Sequence, residues 1–272
     1  MTQPKVKTIN RGQGAARGRW YVDGATGDKL PSVTSICGQA PKPAIAYWRG
    51  KLVAQAAVED FGTVANFIGK GQTDAAIDFL KRAPDRSSGK AAELGSTIHD
   101  LVDRHNKGED LSRLHPEHRP FIDQYELYIK EFNPGVMESE VTVWSDTYGY
   151  AGTLDQISMF DEDAVLIDVK TGASGVWPDV ALQLAAYARA DCIIDAQGER
   201  RPMPQIDGAA VLWLRPDKFE LVPVRALDDD VFAIFLALQQ VSSWSHEVSK
   251  TVLGPPLKPE TKTQKGAVDG PQ

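Results

Sequence analysis

The run Ala164-Val165-Leu166-Ile167-Asp168-Val169-Lys170 constrains what this chain can fold into more than any other segment. It starts after the acidic turn Asp161-Glu162-Asp163, stays apolar through Ile167, and stops at Thr171-Gly172. A strand that apolar is buried on both faces, so it requires a packed layer above it and another below. Its neighbours fit that demand. Residues 137–145 alternate apolar and polar, and 149–160 form a second strand after a Tyr148-Gly149 turn. An alanine-rich helix is predicted over 178–190, strands over 207–215 and 218–224, and an amphipathic helix over 231–248. The order predicts an α/β fold with a mixed central sheet flanked by helices.

The N-terminal half has a different texture. Residues 19–31 read as a hairpin, with Asp23-Gly24 and Thr26-Gly27-Asp28 supplying the turn. A helix follows over 44–61, with Ile45, Trp48, Leu52 and Ala56 on one stripe and Trp48 expected in the core. Further helices are predicted at about 72–82, 88–107 and 117–132. Residues 1–18 carry Lys5, Lys7, Arg11 and Arg17 with no acid and read as a flexible basic arm. Residues 253–272, rich in Pro, Gly and Lys, read as a disordered tail. The expected division is a hairpin plus helical subdomain over 19–132 and a core over 133–252.

Composition narrows the classes. The 272 residues are 42% hydrophobic, enough to bury a core, and the net charge of −7 argues against a uniformly basic surface. Cys37 and Cys192 are the only cysteines, which excludes a disulfide framework, a four-cysteine zinc site and a four-cysteine iron–sulfur cluster. No apolar run reaches the roughly 18 to 20 residues of a membrane helix, and residues 1–18 lack a signal-peptide core. A cytoplasmic protein is the expectation.

The chemistry concentrates between Gly152 and Gly172. Side chains alternate along a strand, so Asp168 and Lys170 share one face while Val169 takes the other. Asp155, on the preceding strand, can stand beside Asp168 if the two strands are antiparallel. Carboxylates brought together repel unless a cation intervenes. A hard divalent ion such as Mg²⁺ answers this, with the Val169 carbonyl as a further oxygen donor. Such an ion polarises a phosphodiester and lowers the pKa of a bound water, while Lys170 offsets charge developing in the transition state. Asp-x-Lys alone is common; what gives it weight is the apolar strand before it and Gly152-Thr153-Leu154-Asp155 upstream.

These residues resemble the PD-(D/E)XK nuclease superfamily, and within it the RecB-like exonuclease branch, which includes CRISPR-associated exonucleases and the mitochondrial genome-maintenance exonuclease. Gly152-Thr153-Leu154-Asp155 resembles the first carboxylate motif, and Ile167-Asp168-Val169-Lys170-Thr171-Gly172 the (D/E)xK strand end. Gln183 and Tyr187, four apart in LQLAAYARA, resemble the Gln-x₃-Tyr helix, and Gly95-Ser96-Thr97-Ile98-His99 the helical histidine motif. Pro31-Ser32-Val33-Thr34 resembles a segment near the start of the mitochondrial-type enzymes. The likeness runs from residue 31 to about 190.

The resemblance implies a restriction-endonuclease-like sheet with a helical N-terminal subdomain, and a metal-dependent DNA exonuclease. It implies Asp155, Asp168 and Lys170 as catalytic, and His99, Asp155, Asp168 and the Val169 carbonyl as ligands for Mg²⁺ or Mn²⁺. Gln183 would orient the lysine or a phosphate, Tyr187 would contact the strand, and Ser32 and Thr34 would join them in binding DNA. Two departures stand out. The cysteine count cannot support the iron–sulfur cluster of the CRISPR-associated relatives, and no proline precedes Asp155. DNA, single-stranded or with free ends, is the expected partner, with a recombinase or single-strand-binding protein beside it and a role in replication, recombination or repair.

Other readings stay open. A non-catalytic DNA-binding recombination accessory and a structure-specific endonuclease both fit the fold. A His-Asp phosphohydrolase, suggested by His99-Asp100, lacks the upstream histidine it needs. Glu138 and Glu140 read as exposed strand carboxylates, Glu140 within reach of a metal's outer shell. Trp20, Tyr21, Tyr47, Trp48 and Trp177 are candidates for stacking bases. Lys42, Arg49, Lys51, Lys70, Lys81, Arg82, Arg86 and Lys90 are candidates for tracking a phosphate backbone.

Overall fold

A computed structural model of the chain describes residues 6–11 and 18–256. The expected tail from 257 onward, and the arm residues 1–5 and 12–17, lie outside the described residues.

The basic arm contains a strand. β1 (Lys7–Arg11) pairs antiparallel with β2 (Gly18–Val22), which pairs in turn with β3 (Lys29–Pro31). The expected hairpin is thus two strands of a three-stranded sheet, closed by a turn in which Asp23 Oδ1 accepts the amides of Ala25 and Thr26. Arg200 Nη2 donates to Asp23 Oδ2 at 2.7 Å and ties this turn to the far end of the chain.

Helices follow: α1 (Val33–Cys37), α2 (Pro43–Glu59), α3 (Phe61–Gly69), α4 (Thr73–Lys81), α5 (Ala83–Asn106) and α6 (Arg119–Phe132). Asp60 ends α2 and starts α3, so the periodicity over 44–61 continues into a second helix that the sequence pattern does not separate. The main sheet comprises β4 (Gly135–Ser145), β5 (Tyr150–Phe160), β6 (Asp163–Lys170), β7 (Cys192–Ile194), β8 (Arg200–Pro202), β9 (Gly208–Leu214) and β10 (Phe219–Pro223). Its order is β10-β9-β6-β5-β4-β7-β8, antiparallel except that β6 and β9 run parallel. α7 (Val180–Ala188) lies on the connection between them, and α8 (Asp229–His246) follows the last strand.

The doubly buried strand β6 is where the sequence requires it, inside the sheet between β9 and β5. Leu166 joins the layer built by α1, α7 and α8 (Ile36, Leu184, Phe235), whereas Ile167 and Val169 join the layer built by α5 and α6 (Ile98, Leu101, Tyr125). Both layers draw on residues before and after 132, so that position does not separate two cores. A third cluster, Tyr21 with Trp144, Ala151 and Ile194, lies under the small sheet, and α2 to α4 stand apart with Ala56 and Ala76 as their buried residues. Trp48 is therefore not a core residue: it is 37% exposed, because α2 packs on α3, α4 and α5 rather than on the sheet and buries Ala56 alone among its described residues. The three-residue strands β7 and β8 carry no readable alternation at that length. Among the described residues no helix is long and apolar enough to cross a membrane.

Candidate functional site

The strand register lines up three carboxylates. Ser139 faces Gln156 and Val141 faces Leu154, which puts Glu140 opposite Asp155. One step beyond the last β5–β6 pair, Gln156 with Ile167, come Asp155 and Asp168. Glu140, Asp155 and Asp168 thus occupy one level of three adjacent strands.

The backbone is irregular at that level, and the irregularity aims the side chains. Ser139 and Val141 are two apart and should share a face. Instead Ser139 meets Asn106 of α5 while Val141 enters the opposite core layer. Glu140, between them, takes φ +50, a left-handed conformation uncommon for a non-glycine residue. Leu154 and Gln156 diverge in the same way around Asp155: Gln156 accepts from Asn106 and from the Tyr125 hydroxyl, and Leu154 sits in the other layer. Glu140 and Asp155 thus stand outside the regular alternation of the pleat.

α5 brings the imidazole. His99 Nδ1 lies 3.4 Å from Asp155 Oδ1 and 3.7 Å from Glu140 Oε1, and one donor atom from each of these residues falls within 4.8 Å of the others. Burial disfavours charge on His99, but Asp155 and Glu140 outweigh it and lift the imidazole to about 10. Burial likewise pushes Asp155 upward, yet His99, Lys170 and the Val169 amide hold its carboxyl below the usual range. That amide donates to Asp155 Oδ2 at 2.8 Å, so Val169 reaches the site through its N–H.

Asp168 is 2% exposed, and burial raises its carboxyl to about 6 against the pull of the Lys170 charge. Gln183 Nε2 donates to its Oδ1 at 2.9 Å. Its Oδ2, fully buried, is ion-paired with the Lys170 ammonium at 2.5 Å. Burial alone would discharge Lys170, but Asp168 and Asp155 hold its amine above the ordinary range. A lysine so held stays protonated and acts as a donor and positive charge rather than as a base.

The expected DNA-contacting residues divide. Gln183 touches Asp168, as above. Thr34 is exposed on α1, but Ser32 is 1% exposed and caps that helix, accepting from the Ser35 amide at 3.1 Å. Its hydroxyl also donates to Ser35 Oγ, so Ser32 is turned inward and cannot reach a ligand. Tyr187 is buried against Gly152: a Cβ at that glycine would sit 2.5 Å from the ring's Cε1. The glycine of the first motif and the tyrosine of the helix motif are one packing contact, visible only in three dimensions. Glu140 is the carboxylate that sequence alone undervalued. Its signal is a strand position level with Asp155, which requires knowing the register. Glu138, two residues earlier, is held by Arg201 in a two-pronged pair at 2.7 and 3.1 Å.

No known family model matches the chain, and no curated protein is significantly similar to it. Among solved structures, one described as the crystal structure of SSO0001 aligns at 15% identity with a TM-score of 0.32, over 61% of this chain. The alignment spans 65% of that chain, and the likeness is too slight to carry an inference.

Proposed function

We propose that this chain is a metal-dependent deoxyribonuclease that hydrolyses phosphodiester bonds from strand ends, on a restriction-endonuclease-like fold of the PD-(D/E)XK type. The observation that carries this reading is the convergence of Glu140, Asp155 and Asp168 with His99 on one side and Lys170 on the other. The donor set suits Mg²⁺ or Mn²⁺, being carboxylates with one imidazole. Asp168 Oδ2, fully buried, already faces a positive charge in the Lys170 ammonium, so the clustered carboxylates are built for neutralisation by cations. His99, Glu140, Asp155 and Asp168 would hold the ion, with the Val169 carbonyl as a further donor. When bound, it would supply neutralisation of phosphate charge and a more acidic water.

The chain's own groups do the rest. Water adds across one P–O ester bond, leaving a phosphate monoester and a hydroxyl. Lys170, protonated and 38% exposed at its side chain, supplies positive charge where the phosphate gains negative charge. Gln183 and Lys170 each hold one oxygen of the Asp168 carboxylate and so fix its orientation. The strand would approach over α2 to α5. There Tyr47 and Phe61 are exposed, and Lys51, Lys70 and Lys90 carry no ion pair among the described residues. Arg49 and Arg86 are tied to Asp85 and Asp60, so backbone contact falls chiefly to those three lysines.

The test is digestion of end-labelled linear DNA and covalently closed circular DNA in Mg²⁺. Degradation of the linear form alone is expected, abolished by Asp168→Ala and by Lys170→Ala. Cutting of the circle would make the protein an endonuclease. Binding of DNA with no cleavage at any Mg²⁺ or Mn²⁺ concentration would make it a recombination accessory.

A further inference from the structure

A cavity of about 270 Å³ opens beside Lys170, walled by α1, the start of α2, the segment after β6 and the start of α7. Its lining is divided in a way that selects a ligand class. One part is polar: the ammonium groups of Lys42 and Lys170, the Thr34 hydroxyl and the Gln183 amide. The other part is apolar: Val176, Trp177 and Val180. Trp177 is 53% exposed, and its Nε1 donates to Ser174 Oγ at 3.1 Å, which fixes the edge of the ring. Across the rim, Lys42 pairs with Asp179 at 2.5 Å, joining the N-terminal ends of α2 and α7.

Two lysines, each already paired with a carboxylate (Lys42 with Asp179, Lys170 with Asp168), stand beside an apolar surface. A phosphate joined to an aromatic base can share both ammonium groups while its base meets the apolar part. The volume lies just under the roughly 300 Å³ at which ligand sites begin, so it suits one nucleotide and not two. We propose that this cavity binds the terminal nucleotide of a strand, its phosphate against Lys170 and Lys42 and its base on Trp177. The incoming phosphate competes with Asp179 for Lys42, so the rim pair opens as the nucleotide enters. Occupancy by one nucleotide sets the product as mononucleotides. This assignment rests on the nuclease reading of the adjoining carboxylates, and the experiment separates the two.

Calorimetric titration of the full chain in Mg²⁺ compares deoxyadenosine 5′- and 3′-monophosphates with deoxyadenosine and with inorganic phosphate. One monophosphate should bind at least about tenfold tighter than either fragment, since base stacking and charge both contribute. Trp177→Ala should weaken that binding about fivefold or more, Trp177→Phe should restore most of it, and Lys42→Ala should erase the advantage over deoxyadenosine. Asp155→Asn should keep nucleotide binding while losing DNA cleavage. Selective nucleotide binding by a parent protein that cleaves nothing supports the cavity and overturns the nuclease reading. Equal affinity for nucleotide and inorganic phosphate, or unchanged binding by Trp177→Ala, overturns the cavity whatever the cleavage result.

Discussion

Gly152→Ala is the most informative single substitution outside the charged cluster. The added Cβ would lie 2.5 Å from Tyr187 Cε1 and 3.3 Å from Cζ and Oη. Carbon atoms in good contact sit about 3.5–4.0 Å apart, so the ring must retreat by about 1 Å. It has nowhere to go: Tyr187 is 2% exposed and packed within the α1, α7 and α8 layer. Either α7 moves or the ring leaves its preferred rotamer, and overpacking of this kind costs about 1–3 kcal/mol. Because the ring is fully enclosed, the upper half of that range is expected, about 2–3 kcal/mol. Urea denaturation of Gly152→Ala, Tyr187→Leu and the double variant measures it. The cost of Gly152→Ala should fall below about 1 kcal/mol in the Tyr187→Leu background, where the ring is gone. A loss under about 0.5 kcal/mol for Gly152→Ala, or an equal loss in both backgrounds, would refute the steric reasoning.

Two further outcomes follow from the electrostatics. Without metal, His99 is raised from 6.5 to about 10, so its contribution to stability is fully present below about pH 6.5 and lost as pH rises through 10. Asp168 is raised from 3.8 to about 6, so it too favours the folded state less as pH climbs across that interval. The metal-free protein should therefore melt lower at pH 9 than at pH 6. A divalent ion bound as proposed would replace the His99 proton, so the rise in Tm on adding Mn²⁺ should be larger at pH 8.5 than at pH 6; an equal or smaller rise at pH 8.5 would remove His99 from the proposed ligand set. At the other end of the sheet, Arg200→Ala strips the nearly buried Asp23 of its cation while leaving its two amide donors. The pair is partly open to solvent, so the loss is about 2 kcal/mol rather than the larger figure for a sealed pair. Asp23 is held below the usual carboxylate range against the opposing effect of burial, so its stabilising share is present above pH 3.8 and fades below it. Arg200→Ala should weaken that acid dependence.

The parts of the fold legible in sequence are those with a strong local period. β6 announces itself by apolar continuity, and α5, α6 and α8 by helical spacing. The mixed sheet with helices on both faces follows from those elements. The misreadings have identifiable causes. Trp48 has the spacing of a core residue, but spacing reports an amphipathic face and not whether a layer exists to cover it. β1 hides in a basic segment because an exposed strand gains its stability from pairing with β2 rather than from burial. In the site, Asp155, Asp168, Lys170 and His99 were readable from residue type and order, and the structure brings all four together. Glu140 and the pairing of Gly152 with Tyr187 were not, because both depend on which strand level faces which helix. Ser32 fits a motif whose local meaning is a helix cap.

The most direct test of the metal site is an anomalous difference map from crystals soaked in Mn²⁺ and measured near the manganese edge. The assignment predicts a peak enclosed by His99, Glu140, Asp155 and Asp168, absent from Asp155→Asn crystals soaked in the same way. A map with no peak among those side chains, or with Mn²⁺ bound only elsewhere on the surface, would contradict it.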